Sequence, residues 1–220
     1  MKFLVEKRFV LSFMFVYTLV FSIHAYFNKN YEFLYYSIFI IAITWYIYKK
    51  QHALWLSNKI VLGIAIVGLL HFAGGSIFIG PTRLYDLTLI GGIHYDNVVH
   101  AFATFVGTFI SYNLLSLHMP SHVQEHRPAF LILIFLVTLG LGAVNEITEF
   151  IAVLLFDAGT RVGDFYNTGW DFVFNTFGII TAIFFLPQYD TKKIVVEYQK
   201  KDKKKKTKRS IKVSAKRKKA

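Results

Sequence analysis

No cysteine occurs anywhere in the chain, which removes disulfides and every thiolate metal site from consideration. Charge is scarce as well. Asp, Glu, Lys and Arg make up 17% of the 220 residues, against 55% hydrophobic and 18% aromatic residues, and mean hydropathy is +0.45. A soluble domain of this length carries more polar surface, so composition places the chain among membrane proteins. There are four prolines, few enough to leave long stretches free to be helical. Neither H-E-x-x-H nor G-x-S-x-G occurs, so the zincin and nucleophile-elbow signatures are absent.

The charge that is present is unevenly placed. Residues 188–220 hold fifteen Lys/Arg against Asp190, Glu197 and Asp202, which accounts for the whole net charge of +12. Residues 1–187 are balanced and form the membrane body. The tail has no means of burying a core and is expected to be disordered. Directly after a membrane helix it should adhere to anionic headgroups, at roughly 1 kcal/mol per basic residue near the surface. Tyr198 is its one aromatic besides Tyr189, and this composition does not favour specific nucleic-acid binding.

A bilayer core of ~30 Å needs ~20 apolar residues per helix. Six runs qualify, at about 9–27, 31–48, 59–80, 95–117, 129–156 and 170–186, so the sequence predicts an all-α, polytopic membrane bundle of about six transmembrane helices. Asn28-Lys29-Asn30 and Lys49-Lys50-Gln51-His52 separate the first runs. Gly80-Pro81 is expected to stop the third, and Pro128 suits the first turn of the fifth. Lys/Arg fall mostly on alternate connections: Lys2, Lys7 and Arg8, then Lys49, Lys50 and Lys59, then Arg127, then the tail. Lys29, Arg83 and Arg161 are alone on the others. The asymmetry predicts a multi-pass cell-membrane protein with both termini cytoplasmic. A signal peptide is the competing reading of residues 1–25, but the apolar stretch is long and the cleavage pattern poor.

With that orientation, the acids and histidines within the apolar runs share a depth on the non-cytoplasmic side. Ionisable groups there are costly, about 2.5–3.5 kcal/mol each at the bilayer centre on insertion scales, and so mark function. Asp96 and His100 are four apart, Glu146 and Glu149 three apart beside Asn145, and Asp171 and Asn175 four apart. Each pair therefore shares a helix face, and His71 lies at mid-depth of the third run. Two carboxylates on one face repel unless one is protonated or they share a cation. Asp96, His100, Glu146 and Glu149 are thus candidate ligands of a divalent metal. The same four are candidates for acid/base catalysis. Arg161, Asp164, Asp171, Asn175 and His71 are candidate substrate-binding residues; Arg161 suits a phosphate or carboxylate, and Gly159 and Gly163 would let the backbone approach a ligand. The plainer readings are a solvated turn around Arg161, a core histidine at 71, and glutamates that are structural partners of His100. His118, His122 and His126 are read as a loop or a short interfacial helix end, and the aromatics from Tyr35 to Tyr48 as an interfacial belt and packing.

His71-Phe72-Ala73-Gly74-Gly75, Tyr95-Asp96 with His100, Glu146 with Glu149, Gly163-Asp164, and Trp170-Asp171 with Asn175 and Gly178 resemble the YjdF-like family of small inner-membrane proteins, over residues 70–180. More remotely, the acidic pair, the Arg-containing loop and Asp171 to Gly178 are similar to VanZ-like proteins, where Gln is common at the place of Glu149. The first resemblance implies no established activity. The second implies a link to glycopeptide resistance without a settled mechanism. Both imply a shared outer site.

Three functions stay open. The first is a membrane enzyme acting on a lipid or lipid-linked substrate by metal or acid/base chemistry. The second is a small transporter or ion-coupled permease, weakened by uncharged stretches such as Gly107–Ile110 and Leu131–Ile134. The third is a non-catalytic scaffold.

Overall fold

The computed structural model describes residues 7–54, 56–157, 159 and 165–188. The Arg161 and Asp164 expectations and the basic tail from 189 onward lie outside them. The chain forms α1 (Lys7–Phe27), α2 (Tyr31–Leu54), α3 (Asn58–Ser76), α4 (Tyr95–His118), the short α5 (Ser121–Glu125), α6 (Arg127–Phe156) and α7 (Phe165–Phe185). Between α3 and α4 sit a two-residue-turn hairpin, β1 (Phe78–Ile79) with β2 (Thr82–Arg83), and a 3-10 turn at Leu84–Asp86.

Helices α1, α3, α4, α6 and α7 are each long and apolar enough to cross a membrane. Large apolar side chains stand exposed around them, such as Phe150 (60%), Leu154 (67%) and Phe184 (75%). In water that surface would be an aggregation hazard; in a bilayer it is the solvent-matched face. The molecule is an all-α polytopic membrane bundle. Helix α2 is just as long, at 24 residues, but Tyr31, Tyr35, Tyr36, Tyr46, Tyr48 and Trp45 dilute its hydropathy.

Three boundaries differ from the sequence reading. The second run was expected to stop at 48, before Lys49-Lys50-Gln51-His52, but α2 continues through those residues to Leu54. The third run was expected to reach Gly80. Instead α3 ends at Ser76, and Ile77 is already extended with ψ 136. Gly74, Gly75 and Ser76 are weak helix formers, and Gly80-Pro81 closes the hairpin, with Gly80 at φ 61, the left-handed conformation its first turn position needs. The sixth run was expected from Trp170, but α7 starts at Phe165, so Tyr166–Gly169 are helical and lengthen the polar face. The expected short helix near His122 is α5.

One end of the bundle gathers the ends of α1, α3 and α6 and the starts of α2, α4 and α7, as the contacts of Phe21 with Phe72, Tyr95 with Leu70, Tyr35 with Phe156, and Glu146 and Asp171 with His100 show. On one side α1, α2 and α3 enclose an apolar core that includes Leu11, Met14, Phe33, Val61 and Phe72. Tyr17 Oη donates to the Ala65 carbonyl (3.0 Å) across the α1–α3 contact. On the other side α4 packs tightly on α7. A Cβ at Gly178 would run into the Ala101 carbonyl and Thr104 Oγ1, so glycine here sets the approach of the two backbones. Thr104 Oγ1 donates to the Asn175 carbonyl (2.9 Å) across that contact.

Candidate functional site

His100 lies one turn into α4 and is 7% exposed. Three carboxylates from three helices face its ring. Asp96, one turn earlier on α4, places Oδ1 3.5 Å from Nε2. Asp171 on α7 places Oδ1 3.7 Å from the same nitrogen. Glu146 on α6 places Oε1 3.5 Å from Nδ1 on the opposite edge. These distances suit ion pairing and exceed good hydrogen-bond lengths. Asp171 is 0% exposed. Its Oδ1 and Glu146 Oε1, the atoms aimed at His100, are buried without a hydrogen-bond partner.

The surroundings position these groups. Asn167, one turn before Asp171, donates from Nδ2 to Asp171 Oδ2 (2.9 Å) and turns Oδ1 toward the histidine. The start of α4 is fixed by Asn97, whose Oδ1 accepts from the His94 N–H (3.0 Å), and by Tyr95, whose hydroxyl donates to the Leu70 carbonyl of α3 (3.1 Å). On α6, Asn145 Nδ2 donates to Glu149 Oε1 (2.7 Å). Asn175 is buried, with Nδ2 unpartnered, and a Cβ at Gly142 of α6 would stand 2.9 Å from that nitrogen.

A cavity of about 430 Å³ adjoins the cluster, walled mainly by α2, α3, α4 and α6. Its polar end holds His100, Glu149, Asn145, Asn175, His71 and Tyr85, while its walls are largely aliphatic. His71 does not join the carboxylate cluster. Its ring stacks on Phe33 (5.2 Å between centroids), and Nδ1 shares a 2.6 Å hydrogen bond with the Tyr85 hydroxyl from the 3-10 turn. Burial pushes the Tyr85 hydroxyl well above its ordinary pKa, so it keeps its proton and can donate to a bare Nδ1. Beside it Arg83 is paired with Asp86 through Nε and Nη2 (3.1 and 3.0 Å).

Thus Asp96, His100, Glu146 and Asp171 come together. Glu149, Asn175 and His71 meet the group through the cavity. The ligand atoms of Asp96, His100 and Asp171 lie within 4.8 Å of one another, a trio different from the Asp96, His100, Glu146 and Glu149 set expected as metal ligands. Asp171 reaches the histidine because α7 packs closely on α4, the approach that glycine at 178 permits. Sequence reasoning also missed Tyr85, Asn167, Asn97 and the buried Glu32 in the first turn of α2. Asn167 was detectable from its spacing of four to Asp171; Tyr85 was not, because its contact is set by the hairpin.

Electrostatically the cluster is one-sided. Asp96, Glu146, Glu149 and Asp171 gather around a single imidazole in a bundle interior, where unpaired charge is expensive. A single positive charge cannot balance four carboxylates, so part of the relief is protonation among them, and the rest comes in either of two ways. An imidazolium donates from both ring nitrogens, or a cation takes the place beside Nε2.

The class these observations define is a multi-pass helical membrane protein with a buried carboxylate–histidine cluster. The chain belongs to the family described as "Predicted membrane protein (DUF2238)", whose model matches residues 7–192. No curated protein and no solved structure matches it.

Proposed function

We propose that the protein is a divalent-cation-dependent membrane enzyme acting on a lipid or lipid-linked substrate at the non-cytoplasmic side. The observation that carries this reading is the aim of Asp171 Oδ1 and Asp96 Oδ1 at His100 Nε2 while Glu146 faces Nδ1. A carboxylate behind a metal-binding imidazole fixes its tautomer and raises its basicity. Asp96, His100 and Asp171 would then be the ligands and Glu146 the supporting group. Oxygen-rich sets with one imidazole suit Mg²⁺, Mn²⁺ or Zn²⁺; oxygen ligands of Mg²⁺ sit ~2.0–2.1 Å from the ion, so the trio need contract only slightly. Bound there, the ion would polarise an ester or phosphoryl oxygen. Glu149, on the cavity wall and steadied by Asn145, would act as general base. The YjdF-like assignment and the remoter VanZ-like similarity belong to the same reading, as does attachment of the basic tail to anionic headgroups.

Metal analysis of the detergent-purified full chain tests it. About one divalent ion per chain is expected, lost in His100→Gln and Asp171→Asn with elution behaviour unchanged. A wild-type protein that takes up no divalent ion across Mg²⁺, Mn²⁺ and Zn²⁺ titrations would sink the reading.

An ion-coupled permease is the second reading, favoured by one observation. Thr104, Thr108, Ser111 and Thr138 are buried in a line leading from His100 toward the other end, and Thr138 Oγ1 donates to Ser111 Oγ (2.9 Å). Cation flux in proteoliposomes that is blocked by Thr138→Val would favour it over the enzyme.

A further inference from the structure

The cavity beside the cluster has an exposed rim, and the rim belongs to two helices. Among the residues that line it, Phe39 (44% exposed) and Ile43 (51%) of α2 and Leu141 (51%) and Val144 (58%) of α6 are open to the outside of the bundle. The lining residues of α1, α4 and α7, among them Met14, Val99, Thr104 and Asn175, are buried or partly buried. The opening therefore faces sideways, between α2 and α6. At the site-bearing end these helices meet where Tyr35 packs against Phe156 (5.6 Å between centroids). Toward mid-depth the rim residues leave a gap. A sideways opening in a membrane bundle faces hydrocarbon, not water.

The polar groups at this gap are unusual for such a place. Asn145 is exposed on the outer face of α6, where an amide toward hydrocarbon is costly. Its side chain turns to Glu149 at the cavity's polar end. Gly142, one turn away, leaves the space in which Asn175 Nδ2 stands. Rim and cavity thus form a continuous path that reaches the cluster at His100 and Glu149, apolar first and ionisable last.

We propose that the gap between α2 and α6 is a lateral portal through which one acyl chain of an anionic glycerophospholipid enters the cavity from the bilayer, with its head brought to the Glu149 and His100 end. The volume of about 430 Å³ is at the low end for ligand pockets, which run ~300–1,000 Å³, and suits a single chain. The aliphatic walls match that chain, and a cation held by Asp96, His100 and Asp171 would match the phosphate. This rests on the proposed function for the choice of head group, but entry of the chain is independent of the metal.

The test uses the full chain in phosphatidylglycerol vesicles containing a trace of phospholipid with a mid-chain diazirine. After photolysis, adducts are mapped. They are expected on inner-wall residues such as Ile64, Val67 and Ala103, as well as on the outward Phe150 and Leu154. The double substitution Ile43→Trp with Val144→Trp narrows the rim without touching the buried core. It should lower inner-wall adducts at least five-fold relative to those at Leu154, with metal content unchanged. Absence of inner-wall adducts in the wild type overturns the portal, as does their persistence in the double variant. Displacement of the probe by a polyprenyl phosphate but not by excess phosphatidylglycerol overturns the choice of an acyl chain. Inner-wall adducts in a protein that binds no divalent ion would leave the portal standing and remove the cation reading.

Discussion

At the residue scale, His100 is the group on which the others depend, because each ring edge has a different task. Nε2 faces Asp96 and Asp171, and Nδ1 faces Glu146. This asymmetry predicts unequal losses. His100→Gln or Asp171→Asn should remove divalent-ion binding outright, and combining them should do little further harm, since residues in one network are coupled and not additive. Glu146→Gln should weaken binding about 10–100-fold, the usual effect of losing the partner behind a metal-bound histidine. Isothermal titration with Mn²⁺ separates the outcomes; equal and additive losses would show three independent structural partners instead. Glycines make a second contrast. Gly178→Ala pushes a methyl group into the Ala101 carbonyl, backbone that has nowhere to go, and should cost about 1–3 kcal/mol through overpacking. Gly140 has nothing within 4 Å of an added Cβ, so Gly140→Ala should be neutral or stabilise by up to ~1 kcal/mol through helix propensity. Thermal unfolding in detergent measures both.

At the element scale, the α4–α7 contact ties the cluster to the bundle. Thr104 Oγ1 bridges to the Asn175 carbonyl, and Asp171 stands one turn from Asn175 on the same face. Thr104→Val keeps the shape and removes the bridge. A loss of about 0.6 kcal/mol, with an upper bound near 1.7, is expected for one interhelical hydrogen bond in a membrane, together with weaker ion binding as α7 gains freedom to slide. Unchanged affinity would show that Asp171 is held by Asn167 alone. The helices themselves were legible because runs of apolar residues bounded by Asn28-Lys29-Asn30 or Lys49-Lys50 have few other solutions in a bilayer. The spacing of Asp96 to His100 and of Asp171 to Asn175 defines the shared faces by itself. The hairpin was not legible. Phe78-Ile79 continues the apolar run of α3, and what ends the helix is the cost of Gly74, Gly75 and Ser76 together with the turn at Gly80-Pro81. The place of Tyr85 over His71 follows from that hairpin and so was hidden with it. Nor does periodicity tell which carboxylate of a polar face reaches the histidine. Asp171 rather than Glu149 does so because glycine at 178 lets α7 approach α4 closely.

At the scale of the whole molecule, the number of spans decides which sides the termini occupy. Five helices satisfy both length and apolarity, and an odd number would put the two ends of the chain on opposite sides of the membrane. The parity turns on helix α2. Its 24 residues at 1.5 Å each reach about 36 Å, enough for a ~30 Å hydrocarbon core. It is joined to α1 by a turn at Asn28–Asn30, with Lys29 at φ 55, which forces the two helices antiparallel. Its buried face, including Phe33, Tyr36 and Ile47, belongs to the same core as Leu11 and Val61. A helix packed into that core along its length has the depth of its neighbours, and of its tyrosines Tyr36 lines the cavity. Six spans are therefore expected, with both termini on the cytoplasmic side given the Lys/Arg asymmetry. Reporter fusions after residues 29, 56, 82, 120 and 188 should read outside, inside, outside, inside and inside. If the fusions after 29 and 56 report the same side, α2 does not cross, and the portal between α2 and α6 loses one of its walls to the interface.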